Sequence, residues 1–336
     1  TVRDVSIQLA STVTVKKGYK LTIKMDPDAS WTQRAIIVIA NGFSSTQGMF
    51  LVEEGASLVI EGLDSQWLGI KGSRNTGSIS TIYNSTSKTW TKPTGYEQYY
   101  NTFANGYGMV TAVGNVTMKN VRMYDSYCEG DGAALVVKRN TNTDKLLAYG
   151  KVSLTGCRIT NCVATFGAAL VIYNQVKNAV SGDITTVDPI VHDDYDPEGS
   201  SVTLTDCEIK NCYNTLSDNV CGTIRTGGGA YSNLYLNNTT ISGNYAEGTC
   251  AGVVWNAHGL SNKQTVLRFD GCVVENNYSK SSGAGLYVSS SFEFCNNTSY
   301  IRGNTSGKDG GGIHIRAYTG IKGMEGYPQT LDMSLG

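Results

Sequence analysis

Apolar and polar residues alternate along four segments of the chain that align with one another without a gap. Alternation with a period of two places successive side chains on opposite faces of an extended chain, and so predicts β-strands. The aligned segments are NVTMKNVRMYDS at 115–126, KVSLTGCRITNC at 151–162, SVTLTDCEIKNC at 201–212 and NLYLNNTTISGN at 233–244. Two shorter segments repeat the same core: GCVVENN at 271–277 and TSYIRGN at 298–304. The chain is therefore built from degenerate copies of one unit.

The alignment places similar side chains in three columns. The first column holds mainly small or sulfur-containing residues: Val121, Cys157, Cys207, Thr239, Cys272 and Ser299. Two residues later comes an apolar column: Met123, Ile159, Ile209, Ile241, Val274 and Ile301. Three residues further on, small polar or sulfur-containing residues mark a predicted turn: Ser126, Cys162, Cys212, Asn244, Asn277 and Asn304. In a stack of such units, each column becomes a ladder of like side chains.

After a spacer of variable length, each unit continues with a strand rich in glycine and alanine. Six copies are recognisable: GAALVV from Gly132, GAALVI from Gly167, GGGAYS from Gly227, CAGVVW from Cys250, GAGLYV from Gly283 and GGGIHI from Gly310. Glycine and alanine leave little side chain on one face, which predicts a tight corner or a close approach between backbones. The apolar residues that follow are expected to return to the core.

One unit has too little apolar surface to form a core alone, whereas stacked units bury a continuous one. The sequence therefore predicts an all-β fold, a right-handed parallel β-helix (solenoid) with loop insertions, whose rungs lie about 4.8 Å apart. Positions equivalent to Val121 recur after 36, 50, 32, 33 and 27 residues, so insertions are expected to leave the coil at fixed corners. We interpret 1–336 as a single β-helix domain. Its parts are an N-terminal cap with the first rungs at 1–82, an aromatic-rich insertion at 83–108, repeat rungs at 109–318 and a C-terminal segment at 319–336.

The repeat resembles that of the polymorphic-outer-membrane-protein family, in which an Asn after an apolar strand is followed by a spacer and a Gly-Gly-Ala-Ile-like strand. The matching places are Asn244 with 250–254, Asn277 with 283–287 and Asn304 with 310–315. The opening segments, TVTVKKGYKLTIK at 12–24 and GMFLVEEGASLVIEGL at 48–63, also resemble the start of such proteins. The resemblance to these bacterial surface β-helix proteins implies an adhesin-like protein. It implies architecture more than activity, because the same coil carries adhesins, pectate-lyase-like enzymes and passive stalks.

Charge and composition exclude several classes of partner. Lys plus Arg number 27 against 28 Asp plus Glu, a formal net charge of −1, so nothing in the overall charge attracts nucleic acid or an anionic membrane surface. The richest apolar run, 35–40, is far too short to span a membrane. The chain begins at Thr1 without a signal sequence, and we interpret it as a processed or trimmed piece of an extracellular or cell-surface protein.

The nine cysteines are an odd number and lack the paired short spacings of a zinc site, so at least one is expected to be unpaired. Cys157, Cys207 and Cys272 lie among apolar residues, where a thiol behaves as a small, inert hydrophobe. The better candidates for crosslinks lie near predicted turns or loops: Cys128, Cys221, Cys250 and Cys295.

Insertions on a rigid scaffold are common places for binding and catalysis. The insertion at 83–108 is rich in aromatic residues, whose flat faces and polar tips suit sugar rings or a protein partner. The candidate ligand-binding residues are Tyr83, Trp90, Tyr96, Tyr99, Tyr100 and Tyr107. The alternative is that the insertion folds down as a cover over one lateral face of the coil, because exposed aromatic side chains are costly.

A second insertion, at 173–200, concentrates carboxylates, which are the ligands that Ca²⁺ prefers. The candidate metal ligands are Asp188, Asp193, Asp194 and Asp196. Their spacing lacks the glycine and the terminal Glu of an EF-hand loop, so a solvated acidic loop is the alternative. Apart from calcium, no cofactor is expected.

No catalytic residues are recognisable. The three histidines lie in separate segments without a Ser or Cys partner, and the basic residues of the rung strands look scattered: Arg122, Arg158, Lys210, Arg268 and Arg302. The sequence therefore favours a non-catalytic extracellular surface protein that is adhesin-like or structural, such as a surface-layer or filament subunit. Its partners would be a host or environmental glycan, a surface protein, or further copies associated end to end. The alternative is a carbohydrate-active enzyme, a polysaccharide lyase or glycoside hydrolase, on a pectate-lyase-like β-helix.

Overall fold

The computed structural model describes residues 5–27, 35–73, 77–99, 102–103, 107–138, 150–173, 200–217, 219–227, 232–255, 266–289, 292–315 and 331–332. Within these ranges the chain is all-β, and the one helix, Tyr96–Tyr99, has four residues. The strands form three long parallel sheets, numbered I to III below. A separate antiparallel hairpin pairs Tyr83–Asn84 with Thr89–Trp90.

Sheet I contains two rows of strands. The main row is Val5–Leu9, Ala35–Ile39, Leu68–Lys71, Val121–Asp131, Arg158–Phe166, Glu208–Lys210, Thr240–Ser242, Val273–Glu275 and Tyr300–Arg302. The long strands Val121–Asp131 and Arg158–Phe166 continue past a bend into the second row. The short strands of that row are Thr102–Phe103, Tyr213–Asn214, Tyr245–Ala246, Tyr278–Ser279 and Thr305–Ser306.

Sheets II and III each contain nine strands. Sheet II consists of Val13–Val15, Phe50–Val52, Val110–Ala112, Leu135–Val137, Leu170–Tyr173, Ile224–Gly227, Val253–Trp255, Leu286–Val288 and Ile313–Ile315. Sheet III consists of Lys20–Lys24, Ser57–Glu61, Asn115–Lys119, Lys151–Thr155, Ser200–Thr205, Ser232–Asn237, Val266–Asp270, Phe292–Cys295 and Leu331–Asp332.

The chain visits the three sheets in a fixed cyclic order. One circuit runs from Val121–Asp131 in sheet I to Leu135–Val137 in sheet II and Lys151–Thr155 in sheet III, and then returns to sheet I at Arg158–Phe166. Pairing between successive circuits is parallel in all three sheets. The predicted all-β class with long parallel sheets is confirmed, and the cyclic order is consistent with a parallel β-helix.

The predicted apolar column forms an in-register ladder in sheet I. The ladder also extends upstream of the sequence repeats, through strands that the alignment does not include. Its members are Ile7, Ile37, Ile70, Met123, Ile159, Ile209, Ile241, Val274 and Ile301. The members from Ile37 to Val274 are buried in one core cluster with the inward side chains of sheets II and III. Stacked units thus share a continuous core, as the repeat predicts.

The column of small and sulfur-containing residues also stacks as predicted. Four of its six side chains repeat one contact, a hydrogen bond to a backbone carbonyl of the preceding rung. The donors and acceptors are Cys157 Sγ and Met118 O (3.6 Å), Cys207 Sγ and Leu154 O (3.5 Å), Thr239 Oγ1 and Leu204 O (3.2 Å), and Cys272 Sγ and Leu236 O (3.0 Å). A thiol and a hydroxyl are interchangeable here because each can donate one hydrogen. All nine cysteines are free.

Left-handed residues shape the bends of the rungs. Between sheets III and I they are Asn120, Gly156, Asp206, Asn238 and Gly271. At the bend inside sheet I they are Asp125, Asn161, Asn211, Gly243, Asn276 and Gly303. Gly, Asn and Asp adopt positive φ at the lowest cost, which explains these residue types. The predicted turn column, Ser126 to Asn304, follows the second set by one residue.

The glycines between sheets I and II allow the chain to fold back over the next strand. Gly167 has φ +54°, and a Cβ there would overlap Cγ2 of Val171. A Cβ at Gly132 would likewise overlap Cγ2 of Val136. Both valines lie on the outer face of sheet II and are nevertheless buried. A Cβ at Gly167 or Gly132 would also lie 2.8 Å from a backbone carbonyl, Leu170 O or Leu135 O, so the chain makes a tight corner at these two glycines.

The acidic insertion joins two sheets at a corner. Tyr173 ends a strand of sheet II, and Ser200 begins a strand of sheet III, so residues 174–199 connect these two sheets. The aromatic insertion instead falls between a strand of sheet I that ends at Lys71 and a strand of sheet II that begins at Val110. Both insertions therefore leave between strands, as expected.

Candidate functional site

The aromatic insertion runs along the stack of rungs, beside the bend of sheet I. Polar groups of the insertion and of residues 77–82, which lead into it, bind the left-handed bend residues of successive rungs. The contacts are Ser78 Oγ to Asp125 Oδ1 (3.0 Å), Asn161 Nδ2 to Ser78 Oγ (2.8 Å), Ile82 N to Asn211 Oδ1 (2.6 Å) and Trp90 Nε1 to Asn276 O (2.7 Å). These contacts begin at the rung of Asp125 and end at the rung of Asn276, so the insertion ties several rungs together.

A ladder of large side chains lies on the second row of sheet I, directly beneath this insertion. Its members, in register, are Tyr127, Val163, Tyr213, Tyr245 and Tyr278. The ring centroid of Tyr96 lies 5.0 Å from that of Tyr127 and 5.7 Å from that of Tyr213. The ring of Trp90 lies 5.7 Å from that of Tyr278. Trp90 and Tyr96 therefore act as a cover over the outer face of the sheet.

The described members of the predicted ligand-binding set lie in two places. Tyr83 and Trp90 face each other across the hairpin with ring centroids 5.1 Å apart, and Tyr96 packs on the tyrosine ladder. Tyr107 lies elsewhere, against Tyr173 of sheet II at 6.4 Å. Tyr99 belongs to the short helix. Tyr100 lies outside the described residues, and ligand binding by this set stays a prediction.

The carboxylate of Glu247 fixes the insertion to the scaffold. Its Oε1 accepts hydrogen bonds from Lys92 Nζ at 2.9 Å and from Tyr213 OH at 3.0 Å, and its Oε2 pairs with Lys280 Nζ. Burial alone would raise the pKa of Glu247, but these three hydrogen bonds outweigh burial and lower it. The carboxylate therefore stays charged, which suits a structural clamp better than proton transfer.

A second group of charged residues lies where sheets I and II meet: Asp131 ends a strand of sheet I, Lys138 follows a strand of sheet II, and Arg225 lies within the next-but-one strand of sheet II. Lys138 Nζ lies 3.3 Å from the ring centroid of Tyr107, and the Arg225 guanidinium lies 4.1 Å from that of Phe166. Asp131 Oδ1 is buried and has no hydrogen-bond partner among the described residues. Burial raises the pKa of Asp131 to about 6 and lowers that of Lys138 to about 8. Groups whose pKa is shifted towards neutral pH are frequent in functional sites.

A third group, the arginine patch, lies on the main row of sheet I and consists of Trp67, Lys71, Arg122, Tyr124, Arg158 and Glu208. Arg122 and Arg158 occupy paired positions on adjacent strands. The guanidinium of Arg122 lies 4.6 Å from the ring centroid of Tyr124, and that of Arg158 lies 3.8 Å from that of Trp67. Arg158 Nε also contacts Glu208 Oε2 at 3.0 Å. Two arginines and two aromatic rings thus share one surface.

This patch corrects the interpretation of the rung arginines as scattered for Arg122 and Arg158, while Arg268 lies on sheet III and Arg302 lies beside Glu275. Arg122 and Arg158 each follow a residue of the first aligned column, so the repeat alignment already contains the signal. Side chains in equivalent positions of stacked rungs become neighbours. The ring of Trp67 could not be placed in this way, because it precedes the strand Leu68–Lys71 and lies outside the aligned repeats.

The predicted metal site falls outside the described residues. Its four members are Asp188, Asp193, Asp194 and Asp196, and calcium binding by them stays a prediction. Within the part of the chain that the structure describes, no group of three or more His, Cys, Asp or Glu side chains could hold a metal ion.

His314 stacks on Tyr287 with ring centroids 5.1 Å apart, at paired positions of sheet II.

Across the described ranges, no helix is long and apolar enough to cross a membrane. The likeness to the polymorphic-outer-membrane-protein family stays a resemblance of repeat pattern. No family model matches the chain, and no curated protein or solved structure is significantly similar to it, so its function has to be inferred from its own residues.

Proposed function

We propose that this chain is a non-catalytic extracellular surface protein, adhesin-like or structural, whose β-helix presents loops and lateral faces to a glycan or a protein. The observation that carries the proposal is the unbroken ladder from Ile7 to Ile301, which passes through all nine strands of the main row of sheet I. A stack in which each unit contacts only its neighbours forms an extended scaffold. Such a scaffold holds surface groups at fixed distances from one another.

The finer architecture in this proposal is a right-handed parallel β-helix. Connections between parallel strands of one sheet are right-handed in about 98% of cases, because the twist of the strands favours that hand. The resemblance of the repeat to bacterial surface β-helix proteins supports the extracellular location.

The contacts that hold the aromatic insertion on the scaffold support a role in presenting a binding surface. Trp90 binds the backbone of Asn276, and Lys92 binds Glu247, so the insertion is held by contacts within the chain. A surface that is already ordered loses less conformational entropy when a ligand binds. A preorganised lateral face therefore favours recognition.

A carbohydrate-active enzyme is the second candidate, and the group around Asp131 and Lys138 favours it. A general acid or base works best when its pKa lies near the operating pH. The pKa values of Asp131, about 6, and Lys138, about 8, fall in that range. The basic side chain of Arg225 completes a set that could bind and deprotonate an acidic sugar.

The two candidates are separated by measuring binding and turnover on the same polysaccharides. A glycan array detects binding, while reducing-sugar and unsaturated-uronate assays detect hydrolysis and lyase activity. We expect binding without turnover. Turnover that disappears in Asp131→Asn and persists in Asp309→Asn, a change at an exposed carboxylate, would establish the enzyme instead. Filaments in electron micrographs of the native material would favour the structural form of the proposal.

A further inference from the structure

The arginine patch lies beside the aromatic insertion on the outer face of sheet I. Ser78, in the segment 77–82 that leads into the insertion, binds Asp125, and Asp125 Oδ2 lies 3.6 Å from Lys71 Nζ of the patch. This leading segment therefore bounds the patch on this side. Trp67 is 38% exposed, and it is one of only five large hydrophobic side chains among the described residues that are exposed. The patch thus combines a bounded surface with an accessible aromatic ring.

The floor of the patch is built from a glycine and a tyrosine. Gly69 pairs with Arg122 in the sheet, and a Cβ at Gly69 would lie 3.3 Å from Cε1 of Tyr124. The absence of a side chain therefore lets the Tyr124 ring lie close to the backbone. Arg122 then rests over that ring, which orients its planar guanidinium.

The patch carries more positive than negative charge. Lys71 pairs with the neighbouring Asp125, and Arg158 pairs with Glu208, which also pairs with the neighbouring Lys210. Arg122 Nε is buried and has no hydrogen-bond partner among the described residues. Among the described residues, the patch and these two neighbours together hold four cations, Lys71, Arg122, Arg158 and Lys210, and two carboxylates, Asp125 and Glu208. The excess of cations on this face would therefore attract an anionic ligand.

We propose that the arginine patch binds an acidic polysaccharide through its carboxylate or sulfate groups. Guanidinium groups bind planar carboxylates and sulfate oxygens with two hydrogen bonds, and an exposed tryptophan ring offers a face for a sugar. Arg122 and Arg158 bind the anionic groups, and Trp67 contacts the sugar ring. The small excess of two charges on a chain of net charge −1 does not suit nucleic acid, which requires many phosphate contacts. This inference rests on the proposed binding function and names its ligand class.

The test uses the whole chain and three probes: polygalacturonate for carboxylates, heparin for sulfates, and dextran as the neutral polymer. The variants are Arg122→Gln and Arg158→Gln. The matched control is Arg268→Gln on sheet III. Arg158 and Arg268 have side chains 41% and 44% exposed, each contacts one glutamate, and each lies near one aromatic ring. Titration calorimetry gives the affinities, and circular dichroism checks that each variant is folded.

We expect one acidic polymer to bind and dextran not to bind. Each patch variant should weaken the binding about tenfold, and Arg268→Gln should change it less than about twofold. Which polymer binds distinguishes carboxylate from sulfate recognition. The inference would be overturned if dextran bound equally well, if the control variant lost as much binding as the patch variants, or if neither acidic polymer bound. Binding with turnover would overturn the proposed non-catalytic function while leaving the patch as the binding site.

Discussion

The side-chain amide of Asn244 donates to the side-chain oxygen of Asn277 at 2.9 Å, and the backbone N–H of Asn244 donates to the same oxygen at 3.1 Å. Asn277 repeats both contacts with Asn304, at 2.9 and 3.0 Å. Each amide also reaches a backbone carbonyl of the preceding rung, as Asn277 Nδ2 does with Ile241 O at 3.1 Å. The ladder therefore satisfies polar backbone groups inside the coil, where water has no access.

Asn277→Ala should reduce the free energy of unfolding by about 3 kcal/mol, because it leaves several buried polar groups without a partner. Urea unfolding followed by circular dichroism measures the change. The control is Asn115→Ala on the exposed face of sheet III, which should cost less than about 0.5 kcal/mol. Equal effects of the two variants would contradict a stabilising role for the ladder.

A second prediction concerns the glycines between sheets I and II. Gly167→Ala should destabilise the fold by about 3 kcal/mol, because the new Cβ meets Val171 and lies 2.8 Å from Leu170 O in a left-handed conformation. Gly18→Ala is the control, since Gly18 has φ +82° and nothing lies within 4 Å of its Cβ position. It should lose only about 1 to 2 kcal/mol from backbone strain.

The overlap with Val171 can be isolated with a double-mutant cycle. The variant Gly167→Ala/Val171→Ala should be more stable than the sum of the two single changes predicts, by about 1 kcal/mol or more. If the losses of unfolding free energy in the two single variants simply add, backbone strain alone explains the cost of replacing Gly167.

The ladders could be predicted from the sequence because they depend only on a period of two and on repeated positions. Met123 and Ile159 stack wherever equivalent rungs pair, and no detail of the loops is needed. The candidate sites require more information. Glu247 meets Lys92 only because the insertion crosses the rungs, and no repeat or spacing encodes that path. The burial of Asp131 likewise depends on how the chain folds back over sheet II, and no pattern in the sequence predicts that path.

A third prediction concerns thiol reactivity. Eight of the nine cysteines are buried, and Cys295 is partly exposed. Burial raises the pKa of Cys128 to about 12 and that of Cys221 to about 11, so these thiols are neither accessible nor ionised at pH 8. Ellman's reagent should therefore modify one thiol per native chain and all nine after unfolding in denaturant. Cys295→Ser should abolish the native reaction, and two or more fast thiols in the native protein would contradict the described packing.

The last prediction follows from the group around Asp131. Burial raises the pKa of Asp131 from 3.8 to about 6, so between these values the folded chain binds more protons than the unfolded chain. The free energy of unfolding should therefore fall as the pH rises from about 4 to 6, by about 3 kcal/mol from this residue. Lys138 has the opposite effect on the pH dependence of the free energy of unfolding. Burial lowers its pKa from 10.5 to about 8, so stability should rise as the pH increases across that interval.

Urea unfolding at a series of pH values tests both directions through the difference between each variant and the parent chain. Asp131→Asn cannot ionise, so its advantage over the parent should grow from about pH 4 to pH 6 and then stay constant. Lys138→Met should lose its relative advantage between about pH 8 and pH 10.5, because the parent no longer has to bury a charged ammonium group there. A difference for Asp131→Asn that does not change between pH 4 and 6 would show that this carboxylate is solvated rather than buried. The same result would remove the main support for acid–base chemistry on sheet II, and the arginine patch would remain as the candidate binding surface.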